Sequence, residues 1–200
     1  MKDIELLLLN FGFSWTSSKL IPFVILLFFG CGFALMLKNK KLKIKWLNPI
    51  KTSLIVILPT AIYFVIFPIY EGDLYKSGIK ISSELTFKKE KILSIIVLPD
   101  CSFCFETIEI TKKLLKRNSN CSIEYIIASR PNEIPHGIAD KIPKKCSIRL
   151  EYDVQKLAQL THGAYPSYCI SEKGEIVKLW RTEHFGTRAL DEIEEFCLSK

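Results

Sequence analysis

The chain has 200 residues, and its 28 basic and 21 acidic side chains give a net charge of +7. This length allows one sizeable domain with appended segments. Most of the excess charge lies in one short stretch without acidic residues, between strongly apolar flanks, and this distribution favours a cytoplasmic membrane loop over a nucleic-acid surface. The lysines of that stretch are Lys38, Lys40, Lys41, Lys43, Lys45 and Lys51.

Two uncharged apolar runs, 20–37 and 52–70, flank this lysine-rich stretch. A helix that crosses the hydrocarbon core needs about 20 mostly apolar residues, and both runs have that length. A signal peptide would start nearer the N-terminus and end in a small-residue cleavage site, and two successive runs disfavour a soluble core. The sequence therefore predicts two transmembrane helices.

The lysines predict the orientation of these helices. Positive loops stay in the cytoplasm, so residues 38–51 form the cytoplasmic loop, with residues 1–19 as an extracytoplasmic tail. Residues 71–83 are mixed and polar and serve as a linker to an extracytoplasmic domain at 84–200. The predicted location is a bacterial-type inner (plasma) membrane, with the lipid bilayer as one partner.

The pattern of residues 84–200 alternates between strands and helices. Apolar, β-branched runs predict strands at 92–98, 122–129 and 147–153, and helical periodicity follows the first and third of them. SYCIS and EIVKLW form a hairpin around a Glu-Lys-Gly turn, and a last helix starts near Thr187. This order predicts an α/β domain with a mixed β-sheet flanked by helices.

The motif Cys101-Ser102-Phe103-Cys104 lies between the first strand and the first helix of this domain. Unpaired N–H groups and the helix dipole at a helix N-terminus favour a thiolate, which is the nucleophile of disulfide exchange. Cys101 is therefore the predicted attacking cysteine, and Cys104, one turn later on the buried face, the resolving one. A zinc site would need a second pair or histidines at ligand spacing, and none is present, so no metal is predicted. A purely structural disulfide remains the other alternative.

The strand, the C-x-x-C helix and the later segment YPSYCISEKGEIVKLW together resemble the thioredoxin superfamily, in particular its membrane-anchored TlpA/ResA-like branch (AhpC/TSA-related). The resemblance covers roughly residues 84–200 and leaves out the two-span anchor. It implies that Pro166 is a cis-proline facing the disulfide and that Tyr165 offers backbone groups to a substrate peptide. It also implies a redox-active disulfide as the only cofactor.

The motif departs from the family pattern at three points. No tryptophan precedes Cys101 and no proline separates the cysteines, while the glutamate of the following turns is only loosely matched by Glu106. Asp100 is a carboxylate beside the nucleophile and disfavours its thiolate, which favours a reductant. Its alternative role is that of the helix N-cap.

The remaining cysteines of the domain divide into two groups. Cys121 and Cys146 each precede a predicted strand, and in an oxidising compartment they are candidates for a structural disulfide. Cys169 and Cys197 fall on apolar patterns and are expected to be buried free thiols. Cys31 stands alone in the first span, so a separate membrane protein must donate or accept electrons.

These features predict a membrane-anchored thiol–disulfide oxidoreductase that reduces disulfides of extracytoplasmic proteins. A thiol oxidase or isomerase would use the same site in the opposite direction. A non-catalytic thioredoxin-fold binding module is the alternative from a different class. The reduction potential separates the first two, and thiol labelling separates both from the third.

Overall fold

The computed structural model describes residues 3–37, 47–74, 78–80, 91–130 and 137–199. The chain forms two compact units, Met1–Leu74 and Tyr75–Lys200. The predicted cytoplasmic loop, except for its last residues, lies outside the described residues. Residues 75–77 and 81–83 of the predicted linker and the predicted start of the domain at residue 84 also lie outside them.

The described part of the first unit is helical. Its helices are α1 (Asp3–Asn10), α2 (Trp15–Met36), α3 (Leu47–Ile66) and the short α4 (Glu71–Leu74). By length and composition, α2 and residues 48–66 of α3 are apolar enough to cross a membrane.

Both long helices differ in their ends from the predicted spans. Helix α2 begins earlier, because the Ser14 side chain accepts a hydrogen bond from the Ser17 backbone N–H and caps the helix. Helix α3 ends at Ile66, just ahead of Pro68, because a proline disfavours helical backbone in the residue before it.

Helices α2 and α3 pack closely at Gly30. A Cβ atom at this position would lie 2.7 Å from the Val56 carbonyl oxygen, so only glycine permits the observed approach. Aromatic side chains make the neighbouring contact, since the rings of Phe23 and Tyr63 meet edge to face at 4.8 Å between centroids.

A partly buried ion pair joins the start of α2 to α4. Lys19 Nζ lies 2.5 Å from Asp73 Oδ2, and the same oxygen accepts a hydrogen bond from the Tyr70 backbone N–H. The Asp73 side chain is almost fully buried, so the lysine and the backbone donor replace the water that the carboxylate loses.

The second unit contains a five-stranded mixed sheet in the order β3-β2-β1-β4-β5. Strand β1 pairs in parallel with β2 and antiparallel with β4, β2 pairs in parallel with β3, and β4 and β5 form an antiparallel hairpin. The strands are β1 (Lys91–Val97), β2 (Ile123–Ala128), β3 (Ser147–Glu151), β4 (Ser167–Glu172) and β5 (Glu175–Trp180).

The hairpin between β4 and β5 turns at Lys173 and Gly174. Both residues have positive φ, 52° and 88°, which is the backbone of the two-residue turns that match the twist of antiparallel strands. The predicted hairpin is therefore confirmed.

The sheet is covered on both faces. Helices α5 (Ser102–Arg117) and α7 (Thr187–Leu198) lie on one face, and α6 (Val154–Thr161) lies on the other. Because side chains alternate along a strand, Ile92 and Ile96 of β1 face Leu157 of α6. Ile95 faces the opposite way, and this arrangement confirms the predicted α/β class with a mixed sheet flanked by helices.

The disulfide of this unit differs from the predicted one. Cys121 is bonded to Cys197, and Cys146 is a free thiol, so the pairing of Cys121 with Cys146 is wrong. The expectation of a free Cys197 is wrong for the same reason, whereas Cys169 is free and buried. Helix α7 lies along the end of α5, and this packing brings its last turn to Cys121.

Polar contacts hold α7 in that place. Arg117 Nε at the end of α5 lies 2.7 Å from Glu194 Oε1 on α7, and Asn118 Nδ2 donates to the same oxygen at 2.8 Å. The Cys121 backbone N–H donates in turn to the Asn118 carbonyl oxygen. The residue pattern of α5 and that of α7, each taken alone, do not predict this contact between the two helices.

Candidate active site

The C-x-x-C motif lies where the central strand ends and α5 begins. Strand β1 ends at Val97, and Cys101 is the N-cap residue of α5, with φ −84° and ψ 112°. The Cys101 side chain makes no capping hydrogen bond. Its N-cap position lies at the end of α5 where the first N–H groups have no partner within the helix. Asp100 is exposed and lies one residue outside the helix, which corrects its alternative assignment as N-cap.

Cys101 and Cys104 are free thiols in contact with each other. The Cys104 side chain is fully buried and hydrogen-bonds the half-buried Cys101 side chain, and the Cys104 backbone N–H donates to the Cys101 carbonyl oxygen at 3.0 Å. Burial, followed by the hydrogen bond with Cys101, raises the pKa of Cys104 to about 12. Near neutral pH, Cys104 is therefore a protonated thiol shielded from solvent.

The residues between and after the two cysteines face outward. Phe103 is 66% exposed, and Ser102 and Glu106 are exposed as well. An aromatic ring in this position offers apolar contact area to any chain that approaches Cys101. Glu106 is thus a solvent-facing carboxylate on α5.

The Tyr165-Pro166 segment lies next to the end of β1. Ser167, the first residue of β4, pairs with Ile96, so Pro166 stands level with Val97 and close to the start of the motif. The Tyr165–Pro166 peptide bond is cis. Tyr165 is half-buried and packs against the core on the α6 face.

Two hydroxyl groups hold this segment. Thr182 Oγ1, just after β5, donates to the Pro166 carbonyl oxygen at 2.6 Å, and Ser167 Oγ donates to the Ala164 carbonyl oxygen at 2.7 Å. Sequence reasoning missed Thr182, which is 16 residues away from Pro166 and reaches it only through the pairing of β4 with β5.

A buried group of hydroxyls lies below the motif and was also missed. Thr107 and Thr111 of α5 and Tyr125 of β2 are fully buried, and their oxygens are hydrogen-bonded to one another. The spacing of Cys104, Thr107 and Thr111 places them on one face of the helix, but threonines on such a face are usual core residues. Only the contact with Tyr125 of β2 distinguishes these threonines from ordinary core residues, and the sequence does not show that contact.

The predicted absence of a metal site rests on the sequence. Among the residues that the structure describes, no three His, Cys, Asp or Glu side chains are grouped where they could hold a metal ion. His136 lies outside the described residues.

No protein-family model matches the chain, and no curated protein matches it. Solved structures with a similar fold include a secreted Mycobacterium tuberculosis disulfide oxidoreductase homologous to E. coli DsbE. It is 12% identical with a TM-score of 0.41, over 53% of this chain and 81% of that one. A putative thiol:disulfide interchange protein DsbE from Chlorobium tepidum is 11% identical with a TM-score of 0.44, over 62% of this chain and 99% of that one.

The thioredoxin domain of a thiol-disulfide oxidoreductase from Bacteroides vulgatus is also similar. It is 17% identical with a TM-score of 0.40, and the match covers 60% of this chain and 94% of that one.

Proposed function

We propose that this chain is a membrane-anchored thiol–disulfide oxidoreductase that reduces disulfides of extracytoplasmic proteins through Cys101 and Cys104. One observation carries the proposal. Cys101 occupies the N-cap position of α5 and its thiol is partly accessible, and the buried Cys104 thiol hydrogen-bonds it. This is the asymmetry that a two-step exchange needs, because one sulfur must meet the substrate and the other must be shielded from it.

In the proposed reaction the Cys101 thiolate attacks a substrate disulfide. A mixed disulfide forms, and one substrate sulfur leaves as a thiolate and takes up a proton. Cys104 then attacks Cys101, the Cys101–Cys104 disulfide forms, and the second substrate sulfur leaves. The chain is oxidised and the substrate reduced by two electrons, so a separate membrane protein must reduce the chain again.

The proposed substrate-binding residues are Tyr165 and Pro166. The pairing of β4 with β1 supports this role, because it places Pro166 level with the strand end from which the motif starts. Thr182 supports it further by fixing the Pro166 carbonyl group, so that a bound peptide meets a rigid backbone. Asp100 and Glu106 are proposed to modulate the ionisation of the motif as exposed carboxylates on either side of it.

The anchor is proposed to be α2 and α3, with the sheet domain outside the cytoplasm of a bacterial cell. The length and apolar composition of both helices support this, as does the lysine-rich stretch between them. The Cys121–Cys197 disulfide also supports it, since such bonds persist in oxidising compartments.

A trapping experiment tests the catalytic proposal. In membranes of cells that produce the full chain, Cys104→Ser should accumulate mixed disulfides with extracytoplasmic proteins, because the second attack is lost. Cys101→Ser is the matched control and should accumulate none. An equal yield from both variants, or no mixed disulfide from either, contradicts the assignment of the two sulfurs.

The reduction potential of the purified full chain tests the direction. A reduction potential of about −270 mV for the Cys101–Cys104 couple supports the reductase, whereas a potential of about −120 mV makes the chain an oxidant. The absence of any reversible couple would leave the non-catalytic binding module as the function.

Labelling of intact cells tests the topology. A membrane-impermeant maleimide should modify Cys101 in intact cells. In a chain that also carries Cys101→Ser and Cys146→Ala, it should modify Lys43→Cys only after the membrane is opened. The reverse pattern would place the sheet domain in the cytoplasm.

A further inference from the structure

The three buried hydroxyls below the motif form a chain of hydrogen bonds that ends on Cys104. Thr107 Oγ1 donates to the Cys104 carbonyl oxygen at 2.6 Å. Tyr125 Oη lies 3.3 Å from Thr107 Oγ1 and 2.8 Å from Thr111 Oγ1. The three side chains have no measurable exposure, so water does not compete for these bonds.

The number of hydrogens fixes the direction of this chain. Each hydroxyl has one hydrogen, and the hydrogen of Thr107 is used on the carbonyl oxygen, which can only accept. The contact between Thr107 and Tyr125 therefore needs the phenol hydrogen, and the contact between Tyr125 and Thr111 then needs the hydrogen of Thr111. All three O–H groups point in order towards Cys104.

Such an ordered chain acts on the resolving cysteine. The positive ends of the three dipoles are turned to the residue whose sulfur must lose a proton before it attacks Cys101, and hydrogen bonds in series strengthen one another. The chain also ties the first turn of α5 to β2, so the Cys104 backbone is held while the mixed disulfide is open. The Cys104 sulfur itself is hydrogen-bonded by Cys101 and by the Leu98 backbone, so the hydroxyl chain acts on it through the Cys104 carbonyl group.

We propose that Tyr125 is a positioning residue for the resolving step, acting through Thr107 on Cys104. The inference rests on the proposed function of the Cys101–Cys104 pair. The step itself is balanced without another reactant: the sulfur of Cys104 attacks Cys101, the bond from Cys101 to the substrate sulfur breaks, and the departing thiolate takes up the proton that Cys104 releases.

The two phases of a reaction with Ellman's reagent separate attack from resolution. The full chain in detergent, with Cys31→Ala and Cys146→Ala to remove other accessible thiols, first releases one thionitrobenzoate as Cys101 forms a mixed disulfide. A second equivalent leaves when Cys104 closes the disulfide. Tyr125→Phe removes only the hydroxyl, and we expect the second phase to slow roughly fivefold while the first is unchanged.

Three further variants keep the test sharp. Thr107→Val removes the hydroxyl that bonds Cys104 directly, without changing a residue of the sheet, and should slow the second phase at least as much. Thr107→Ser keeps this hydroxyl and should restore the rate. Thr161→Val is the matched control, because Thr161 is an equally buried helix hydroxyl that donates to the Leu157 carbonyl oxygen on the other face of the sheet. It should leave both phases unchanged.

The outcomes distinguish the two proposals. An unchanged or faster second phase in Tyr125→Phe and Thr107→Val, with a normal first phase, would overturn the positioning role and leave the proposed function intact. Equal slowing by Thr161→Val would also overturn it, since the effect would then be one of general packing. A parent protein without any second phase would instead contradict the proposed function.

Discussion

Cys121, just before β2, is bonded to Cys197 in the last turn of α7, and their Cα atoms lie 5.0 Å apart. The bond closes a loop of 76 residues that contains the hairpin, α6 and the strand β3. A cross-link over so long a loop restricts the unfolded chain strongly, and this restriction is the main source of its stabilising effect.

Removal of this disulfide should destabilise the second unit. We expect Cys197→Ala to lower the free energy of unfolding by roughly 2–5 kcal/mol. Hydrogen exchange of residues 91–97 in the full chain measures the change, because the central strand opens only when the unit unfolds. Cys146→Ala alters a free thiol and should lower the free energy of unfolding much less. Equal decreases in the two variants would show that the disulfide does not stabilise the unit.

The alkaline stability of the second unit should depend on the half-buried thiol of Cys146 and the buried thiol of Cys169. Burial raises the pKa of Cys146 from 9.0 to about 11 and that of Cys169 from 9.0 to about 12. Between pH 9 and these values the unfolded chain has lost protons that the folded chain keeps, so stability falls as pH rises. At pH below 9 both states hold the protons, and these groups give no pH dependence.

Urea midpoints measured across this range test the sign. We expect the free energy of unfolding to decline above about pH 9. In Cys146→Ala the slope of this decline against pH should be smaller, by the equivalent of at most one proton. A midpoint that rises with pH in this range would contradict the burial of these thiols.

The close approach of α2 and α3 should depend on Gly30. In Gly30→Leu the new Cβ meets backbone atoms of Val56, which cannot rotate away, so the helices must separate. We expect a loss of roughly 1–3 kcal/mol, measured by titration of the full chain with sodium dodecyl sulfate and followed by circular dichroism. Gly32→Leu is the matched control, because no atom lies within 4 Å of a Cβ at that position.

Thr182 should affect substrate turnover without affecting the reactivity of Cys101. Thr182→Val removes the donor to the Pro166 carbonyl oxygen and loosens the proposed peptide-binding segment. We expect a roughly fivefold lower kcat/KM for reduction of a disulfide-bonded peptide, with an unchanged alkylation rate of Cys101. Thr182→Ser keeps the hydroxyl and should retain activity, and a loss in that variant would point to the methyl group instead.

Local features made much of the fold predictable from the sequence. The buried run of β1, the alternation of helices and strands, and the Lys173-Gly174 turn depend on neighbouring residues, and the structure has each of them. The same holds for the position of Cys101 at a helix N-terminus and of Cys104 on the buried face of that helix.

The sequence by itself thus determined the fold class and the position of the C-x-x-C motif at a helix N-terminus, because periodicity, turn chemistry and helix ends act over a few residues. The tertiary structure alone decided that Cys197 rather than Cys146 bonds Cys121, that Thr182 supports Pro166, and that Tyr125 joins the threonines below Cys104. These contacts join residues 14 to 76 positions apart in the chain, and they exist only because the sheet order and the packing of α5 and α7 bring distant segments together.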